Sequence, residues 1–458
     1  ELCHAESPFR EQPTHDRATA PPEPSLAGVE LPWPEPEKVE AEEPLVSPHR
    51  TAIPEGALPG AGRGGDTKCS KFEGITFPLD AWPAEVRAVS GAEALYGTGW
   101  AQRLLREHQF PTDCTGKTFV EHGMFRSGMG SNIHISAAVL AFALDRGSIY
   151  LWPEDDWANP WTRGREKGTT VDCPGGVKAN SYECYLKPVS SCKPNGQGPR
   201  FIGVKKDRGK EVLRGTEVVP GVFKELLKCS TYPKSYWAKW WRAQATAFLV
   251  RPSLATLGEL DALRQETLVG ALKDPVLGSY VRHGDKYYEA KEYEFKDYLQ
   301  IYAWILGLDA EVEKRCPDAP KMVAPFKQQL PRLRQSKRLY LGSDDPTVFE
   351  EAASSKLNQC DGCLVYMNVS RLSKRRPLME VSKKLGAKRM VMESLLNLQL
   401  LMESDAFVCT WTSNWCRLVD EMRMTVAMKA NHLSLEVNKR CPRFNWVHGA
   451  GAEVPDYR

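Results

Sequence analysis

The segment Ser404 to Arg417, SDAFVCTWTSNWCR, does most to narrow what this chain can fold into. Ala406 to Thr410 is a compact apolar run of β-formers and reads as a short buried strand, and Trp411 to Asn414 reads as the turn that ends it. A helix is expected next, because Ser413 and Asn414 are good caps and Leu418, Met422 and Val426 recur at helical spacing. Backbone N–H groups and the positive end of a helix dipole then face whatever lies beyond the strand, and an anion fits there. In an open α/β sheet such a turn is where nucleotide phosphates lie, although an ordinary capped strand-turn-helix carries the same pattern.

Further strand and helix patterns alternate along the chain, which implies a parallel sheet. Lys117 to Val120 precedes the glycine-bearing run Arg126 to His134, then an Ala-rich helix to about Asp145 and a strand from Ser148 to Trp152. Gly128 and Gly130 would let a ligand approach the head of that helix, but Ile133 holds the third glycine position of a dinucleotide fingerprint, so a nicotinamide site is not expected. Tyr236 to about Val250 is a tryptophan-rich helix, read as core or interface packing in preference to a carbohydrate-stacking platform. Strands are predicted at Val276 to Val281, Lys337 to Gly342 and Val365 to Val369, and a helix at Met392 to Met402. At the end of the first of these strands, Arg282 can fork onto a diphosphate and Lys286 can add a point charge. Asp345 reads equally as a helix cap before Pro346. Residues 309 to 335 are expected to be a polar connection, and the chain after about Ala430 to be loop-rich.

With 458 residues the chain is too long for one core, and two α/β domains plus an appendage are expected. The boundaries are placed at 1–67, a Pro- and Glu-rich stem that is extended or disordered, 68–252, an N-terminal acceptor-side domain, and 253–458, a C-terminal nucleotide-sugar-binding domain with a loop-rich tail. The 61 Lys and Arg against 58 Asp and Glu give a net charge of +3, which argues against a duplex-wrapping nucleic-acid protein and leaves room for a local phosphate groove. The first residue is Glu, so a signal peptide or membrane anchor is expected to lie outside the given chain. Thirteen cysteines, several clustered at Cys173, Cys184 and Cys192, point to disulfides formed in an oxidising lumen. Cys360 and Cys363 read as a small disulfide loop or plain thiols before zinc, and no metal site is expected. Asn368-Val369-Ser370 is the one N-x-S/T sequon.

The order of these motifs resembles the α1,6-fucosyltransferase type of inverting GT-B glycosyltransferase, in a superfamily with nodulation and protein O-fucosyltransferases. RSGMGSNIH looks like that family's G-x-G-x-Q-L-H loop, YECYLKPVSSC its F-x-P-V-S-x-x-C segment, and WWRAQATAFLVRP its W-W-x-x-Q-x-x-x-Y-L-I-R-P helix. YVRHGDK stands where the family has H-V-R-R-T-D-K, LYLGSDDPTVFEEA matches V-Y-L-A-T-D-D-P-x-x-x-x-E-A, and SDAFVCTWTSNWCR matches A-D-F-L-V-C-T-F-S-S-Q-V-C-R. The six segments run collinearly from about 117 to 425.

The resemblance implies two Rossmann-like domains facing a cleft, a GDP-sugar donor such as GDP-fucose with no further cofactor, metal-independent transfer and inversion. Its catalytic positions fall on Arg282, which offsets charge on the leaving diphosphate, Lys286, and Glu289 as general base once one residue is deleted between them. Its donor-binding positions fall on Gly128, Gly130, Asn132, His134, Tyr280, His283, Asp345, Asn397, Ser413 and Asn414. Three of these depart from the family: His283 replaces an arginine, Tyr280 a histidine, and Asn397 a guanine-reading aspartate. An amide cannot act as a two-oxygen acceptor for the guanine edge. The expected partners are a nucleotide sugar and a glycan or glycoprotein acceptor, in the Golgi or secretory lumen as a type II membrane protein. The alternatives are a GT-B enzyme using another nucleotide sugar, such as an arabinosyl or xylosyl donor, and a non-catalytic carbohydrate-binding or scaffold protein.

Overall fold

The computed structural model describes residues 69–72, 75, 81–87, 93–123, 127–152, 173, 182–194, 200–202, 218–272, 275–283, 292–355, 362–371, 386–438 and 441–444. The stem at 1–67, Arg126, Lys286 and Glu289 lie outside them, as does most of 153–217.

Among the described residues the chain is α/β, with two separate sheets. The first half contains α1 (Thr98–Gln109), β1 (Phe119–His122), α2 (Met129–Arg146), β2 (Ile149–Tyr150), β3 (Arg200–Ile202), α3 (Gly221–Lys228) and α4 (Trp237–Leu249). Its three strands form a parallel sheet in the order β2-β1-β3. α5 (Leu254–Thr267) follows, its first turn capped by the Ser253 side chain accepting from the Thr256 N–H.

The second half supplies β4 (Leu268–Val269), β5 (Val276–Val281), α6 (Phe295–Ile305), α7 (Glu311–Arg315), α8 (Ala319–Val323), α9 (Leu330–Arg334), β6 (Arg338–Ser343), α10 (Thr347–Ser354) and β7 (Leu364–Met367). It ends with α11 (Ala387–Glu403), β8 (Ala406–Cys409), α12 (Asn414–Met424), β9 (Ser434–Glu436) and β10 (Arg443–Phe444). These strands form one sheet in the order β10-β9-β8-β5-β6-β7-β4. The inner pairs are all parallel and only the two outermost strands run antiparallel. β5 sits near the middle and is buried along almost its whole length, as a central parallel strand covered on both faces must be.

The two faces of the large sheet are covered by different helices. One apolar core gathers residues of α6 to α10 under β5, β6 and β8. The other gathers α11 and α12 with α2 and α4, so it is continuous between the two halves of the chain. Trp240 and Trp241 of α4 are wholly buried there, and their indole N–H groups donate to the Tyr96 and Ala137 carbonyls. The tryptophan stripe is therefore core, as its spacing suggests.

Two stretches differ from expectation. Residues 309–335 hold three short α-helices and a 3-10 turn at Ala324–Phe326, and Val312, Ala319, Phe326 and Leu333, one every seventh residue, are all buried. One apolar residue every two turns is too sparse to register as an amphipathic pattern. Beyond Ala430, β9 extends the sheet next to β8, with Leu433, Leu435 and Val437 buried against it.

Disulfides join Cys69 to Cys229, Cys114 to Cys192, Cys173 to Cys184, Cys316 to Cys441 and Cys409 to Cys416. Cys363 is disulfide-bonded too. The cysteine cluster thus divides: Cys173 and Cys184 pair with each other, and Cys192 reaches back to Cys114 ahead of β1.

Candidate active site

Register places three chain segments at one end of the large sheet. Tyr280 and Val281 of β5 lie opposite Gly342 and Ser343 of β6, and Tyr280 also lies opposite Cys409 of β8. Arg282-His283, Asp344-Asp345 and Thr410 to Asn414 therefore leave three adjacent parallel strands at their carboxyl ends, the edge where open α/β sheets bind ligands.

Arg282 is partly buried and its guanidinium pairs with the Asp344 carboxylate. His283 is buried and fully engaged. Its Nδ1 lies 2.7 Å from Asp345 Oδ2, its Nε2 2.9 Å from the Tyr293 carbonyl, and its backbone N–H donates to Asp344 at 3.0 Å. Asp345 has no exposed surface, and its other oxygen accepts from the Thr347 N–H and hydroxyl. Burial pushes its carboxyl up, but the hydrogen bonds from His283 and Thr347 outweigh that and hold it below the usual carboxylate range. As placed, Asp345 fastens β5 and β6 to α10, and the capping role read from the sequence is part of that.

The glycines before α2 divide into two roles. Gly128 is the N-cap of α2, and a β-carbon there would meet nothing within 4 Å. Gly130, by contrast, lies against the start of α12: a β-carbon there would sit 2.6 Å from the Asn414 carbonyl oxygen and 2.9 Å from the Trp415 nitrogen. The first turns of an 18-residue and an 11-residue helix thus lie side by side.

A buried polar network locks this meeting. Asn414 Nδ2 donates to Ser131 Oγ at 2.8 Å, and its Oδ1 lies 3.3 Å from both His134 Nδ1 and Arg417 Nη1. His134 Nε2 lies 3.0 Å from Glu421, whose second oxygen accepts from Arg242 of α4 at 3.1 Å. Burial pushes the Glu421 carboxyl up, yet His134 and Arg242 together hold it below its ordinary range. The side chains of His134 and Asn414 are thus committed to joining α2, α4 and α12. Asn132 Nδ2 turns back to the Ser127 carbonyl at 3.0 Å, bracing the loop ahead of α2.

Ser413 is the N-cap of α12, is buried, and makes no side-chain capping bond. The Cys409–Cys416 disulfide spans the turn that contains it. Tyr280, Asn397 and Trp415 gather beside Gly342. A β-carbon at 342 would lie 2.7 Å from Asn397 Nδ2 and 2.8 Å from Tyr280 Cδ2, and the Tyr280 and Trp415 rings are 6.1 Å apart. Asn397 donates to the Tyr340 hydroxyl at 2.8 Å, while its Oδ1 is buried without a hydrogen-bond partner. Arg371, absent from the sequence reading, closes this corner by donating to the Ser343, Met367 and Val369 carbonyls. Glu421 and Arg242 were missed as well, since each is one charge among many on a helix and only their mutual burial marks them.

The family described as Alpha-(1,6)-fucosyltransferase N- and catalytic domains matches residues 219–435. Among solved structures, the fucosyltransferase NodZ from Bradyrhizobium is 11% identical over 72% of this chain and 99% of its own, with a TM-score of 0.35. NodZ alpha-1,6-fucosyltransferase soaked with GDP-fucose is 12% identical over 72% and 98%, with a TM-score of 0.33. Arabidopsis thaliana FUT1 in complex with GDP, solved as a point mutant, is 14% identical over 82% and 88%, with a TM-score of 0.39. Similarity of that size carries no functional argument by itself. Residues 219–435 hold β5, β6, β8 and α12 with their loops, and over that segment the chain is alpha-(1,6)-fucosyltransferase-like.

Proposed function

We propose that this chain is a glycosyltransferase that takes fucose from GDP-fucose and passes it, with inversion and without a metal, to a hydroxyl of a glycan or glycoprotein in the secretory lumen. The meeting of the α2 and α12 N-termini at Gly130 and Asn414 carries this reading. Each helix end presents about half a positive charge, and two such ends are best satisfied by an anion shared between them. α12 begins just past β8, the neighbour of β5, and Arg282 directly follows β5, which supports a diphosphate shared by the two. The match to the fucosyltransferase family over 219–435 supports fucose as the sugar.

In this mechanism Arg282 exchanges Asp344 for the donor diphosphate and offsets the charge that builds on it as the bond from the fucose anomeric carbon breaks. Donors preorganised in this way contribute roughly 3 to 4 kcal/mol. The acceptor oxygen forms the new bond on the opposite face of the sugar, its proton passes to the Glu289 carboxylate, and GDP leaves. Glu289 and Lys286 hold these roles by resemblance alone. The test is incubation of purified protein with GDP-fucose and a panel of glycans, following GDP release and determining the linkage by NMR. Fucosylated product with inverted configuration is expected. Thermal stabilisation by UDP and not by GDP overturns the fucose reading.

One observation favours a second reading, a GT-B enzyme with another nucleotide sugar. Asn397 offers a single free acceptor, Oδ1, in a buried corner where an aspartate would offer two. The same nucleotide panel separates the two.

A further inference from the structure

We propose that Asn368 is an N-glycosylation site, and that its glycan covers the exposed edge of the large sheet. The sequon Asn368-Val369-Ser370 follows β7 directly, and alternation along that strand decides which way its residues face. Val365 and Met367 are buried, whereas Asn368 and Ser370 are exposed. Neither side chain has a hydrogen-bond partner among the described residues, so the Asn368 carboxamide and the Ser370 hydroxyl are not committed to the fold.

The backbone around them is firmly held. The Asn368 N–H donates to the Thr267 carbonyl at 2.7 Å, continuing the β7–β4 pairing. Arg371 grips the Met367 and Val369 carbonyls on either side. A bulky group on Asn368 would therefore project from a fixed point without disturbing core packing.

Compartment is argued separately. All eleven cysteines among the described residues are in disulfides, including pairs 160 and 125 residues apart in sequence. Such bonds form and persist where the lumen is oxidising, which is also where asparagine-linked oligosaccharides are attached. In that step the Asn368 amide nitrogen bonds to the anomeric carbon of a lipid-linked diphospho-oligosaccharide. The carbon–oxygen bond to the diphosphate breaks, the lipid diphosphate departs, and the amide gives up one proton.

The site also answers a structural need. β4 is a two-residue antiparallel strand at the edge of a seven-stranded sheet, and Val269 on it is exposed. Sheet edges of this kind are templates for pairing with another chain unless something covers them. An oligosaccharide anchored one residue past the β4–β7 pairing would do so. This proposal does not depend on the activity proposed above.

The test is expression of the chain behind a cleavable signal peptide in a secretory eukaryotic host. Glycosidase release in heavy-oxygen water, followed by peptide mass analysis, reads modification at residue 368 directly. Occupancy at Asn368 is expected, with its loss in Asn368→Gln and in Ser370→Ala and its retention in Ser370→Thr. Secreted, folded protein that carries no glycan at 368 overturns the proposal. If the Asn368→Gln protein remains as monodisperse in concentrated solution as the glycosylated one, edge protection is overturned.

Discussion

A β-carbon on Gly130 would lie 2.6 Å from the backbone oxygen of Asn414, and the meeting of α2 and α12 depends on its absence. The contact partner is backbone, so it cannot swing aside as a side-chain tip would. Gly130→Ala is expected to push the two helix ends apart and to cost about 1–3 kcal/mol in stability, as overpacking does. GDP affinity should fall more than tenfold, because the proposed shared anion site opens. Gly128→Ala is the control for packing: nothing lies within 4 Å of its added carbon, and it should cost no more than about 1 kcal/mol, the loss of a favourable N-cap residue. Urea unfolding and calorimetric titration with GDP check both statements.

His283 and Asp345 form a buried pair, and its sign with pH follows from the carboxylate. The folded Asp345 carboxyl is held below its ordinary value, so its contribution to stability is complete above the usual carboxylate range. That contribution is lost as pH falls through the lowered folded value. Glu421 behaves in the same way for the same reason. Breaking such a buried pair from one side costs about 3–5 kcal/mol. Both His283→Phe and Glu421→Gln should therefore be strongly destabilised at neutral pH, with acid unfolding curves flatter than that of the unmodified chain. Unfolding free energy measured across the acid range checks this, and parallel curves for variant and parent would refute it.

How much of this was legible beforehand depends on the length scale of the interaction. The strand at Ala406, the turn after it and the cap at Ser413 were readable because neighbours in sequence make them. The Val276 strand and its ending in Arg282 were readable for the same reason. The role of Gly130 was not, since the backbone it touches is nearly three hundred residues away. The His134–Glu421–Arg242 network was likewise hidden, because it joins three helices whose charges look like solvated faces when read singly. Asn397 was singled out by resemblance alone. Only the fold shows that its oxygen is buried and unpartnered while its nitrogen holds Tyr340.

Arg282 pairs with Asp344, and in the proposed mechanism the donor diphosphate replaces that partner. Arg282→Ala should lower transfer about 10² to 10³-fold, the cost of removing one preorganised donor from a developing charge. Arg282→Lys keeps the charge but loses the fork, and should recover only part of that loss. Initial rates with GDP-fucose, alongside thermal unfolding to confirm intact folding, check the order parent, lysine, alanine.

The Cys409–Cys416 disulfide closes a short loop around the turn that carries Ser413 and Asn414, whereas Cys316–Cys441 joins residues 125 apart. Chain-entropy arguments assign the short bond about 2.5 kcal/mol and the long one about 5 kcal/mol of stability. Their effects on ligand binding should run the other way. The short bond fixes the backbone N–H groups at the head of α12, so Cys409→Ser with Cys416→Ser should weaken GDP binding more than it lowers the unfolding temperature. Replacing Cys316 and Cys441 by serine should lower the unfolding temperature further and leave GDP affinity within about threefold of the parent, since neither residue belongs to the turn after β8. Paired calorimetric titrations and thermal melts distinguish the two. Equal losses of affinity in both variants would mean that the turn after β8 is not what holds the nucleotide.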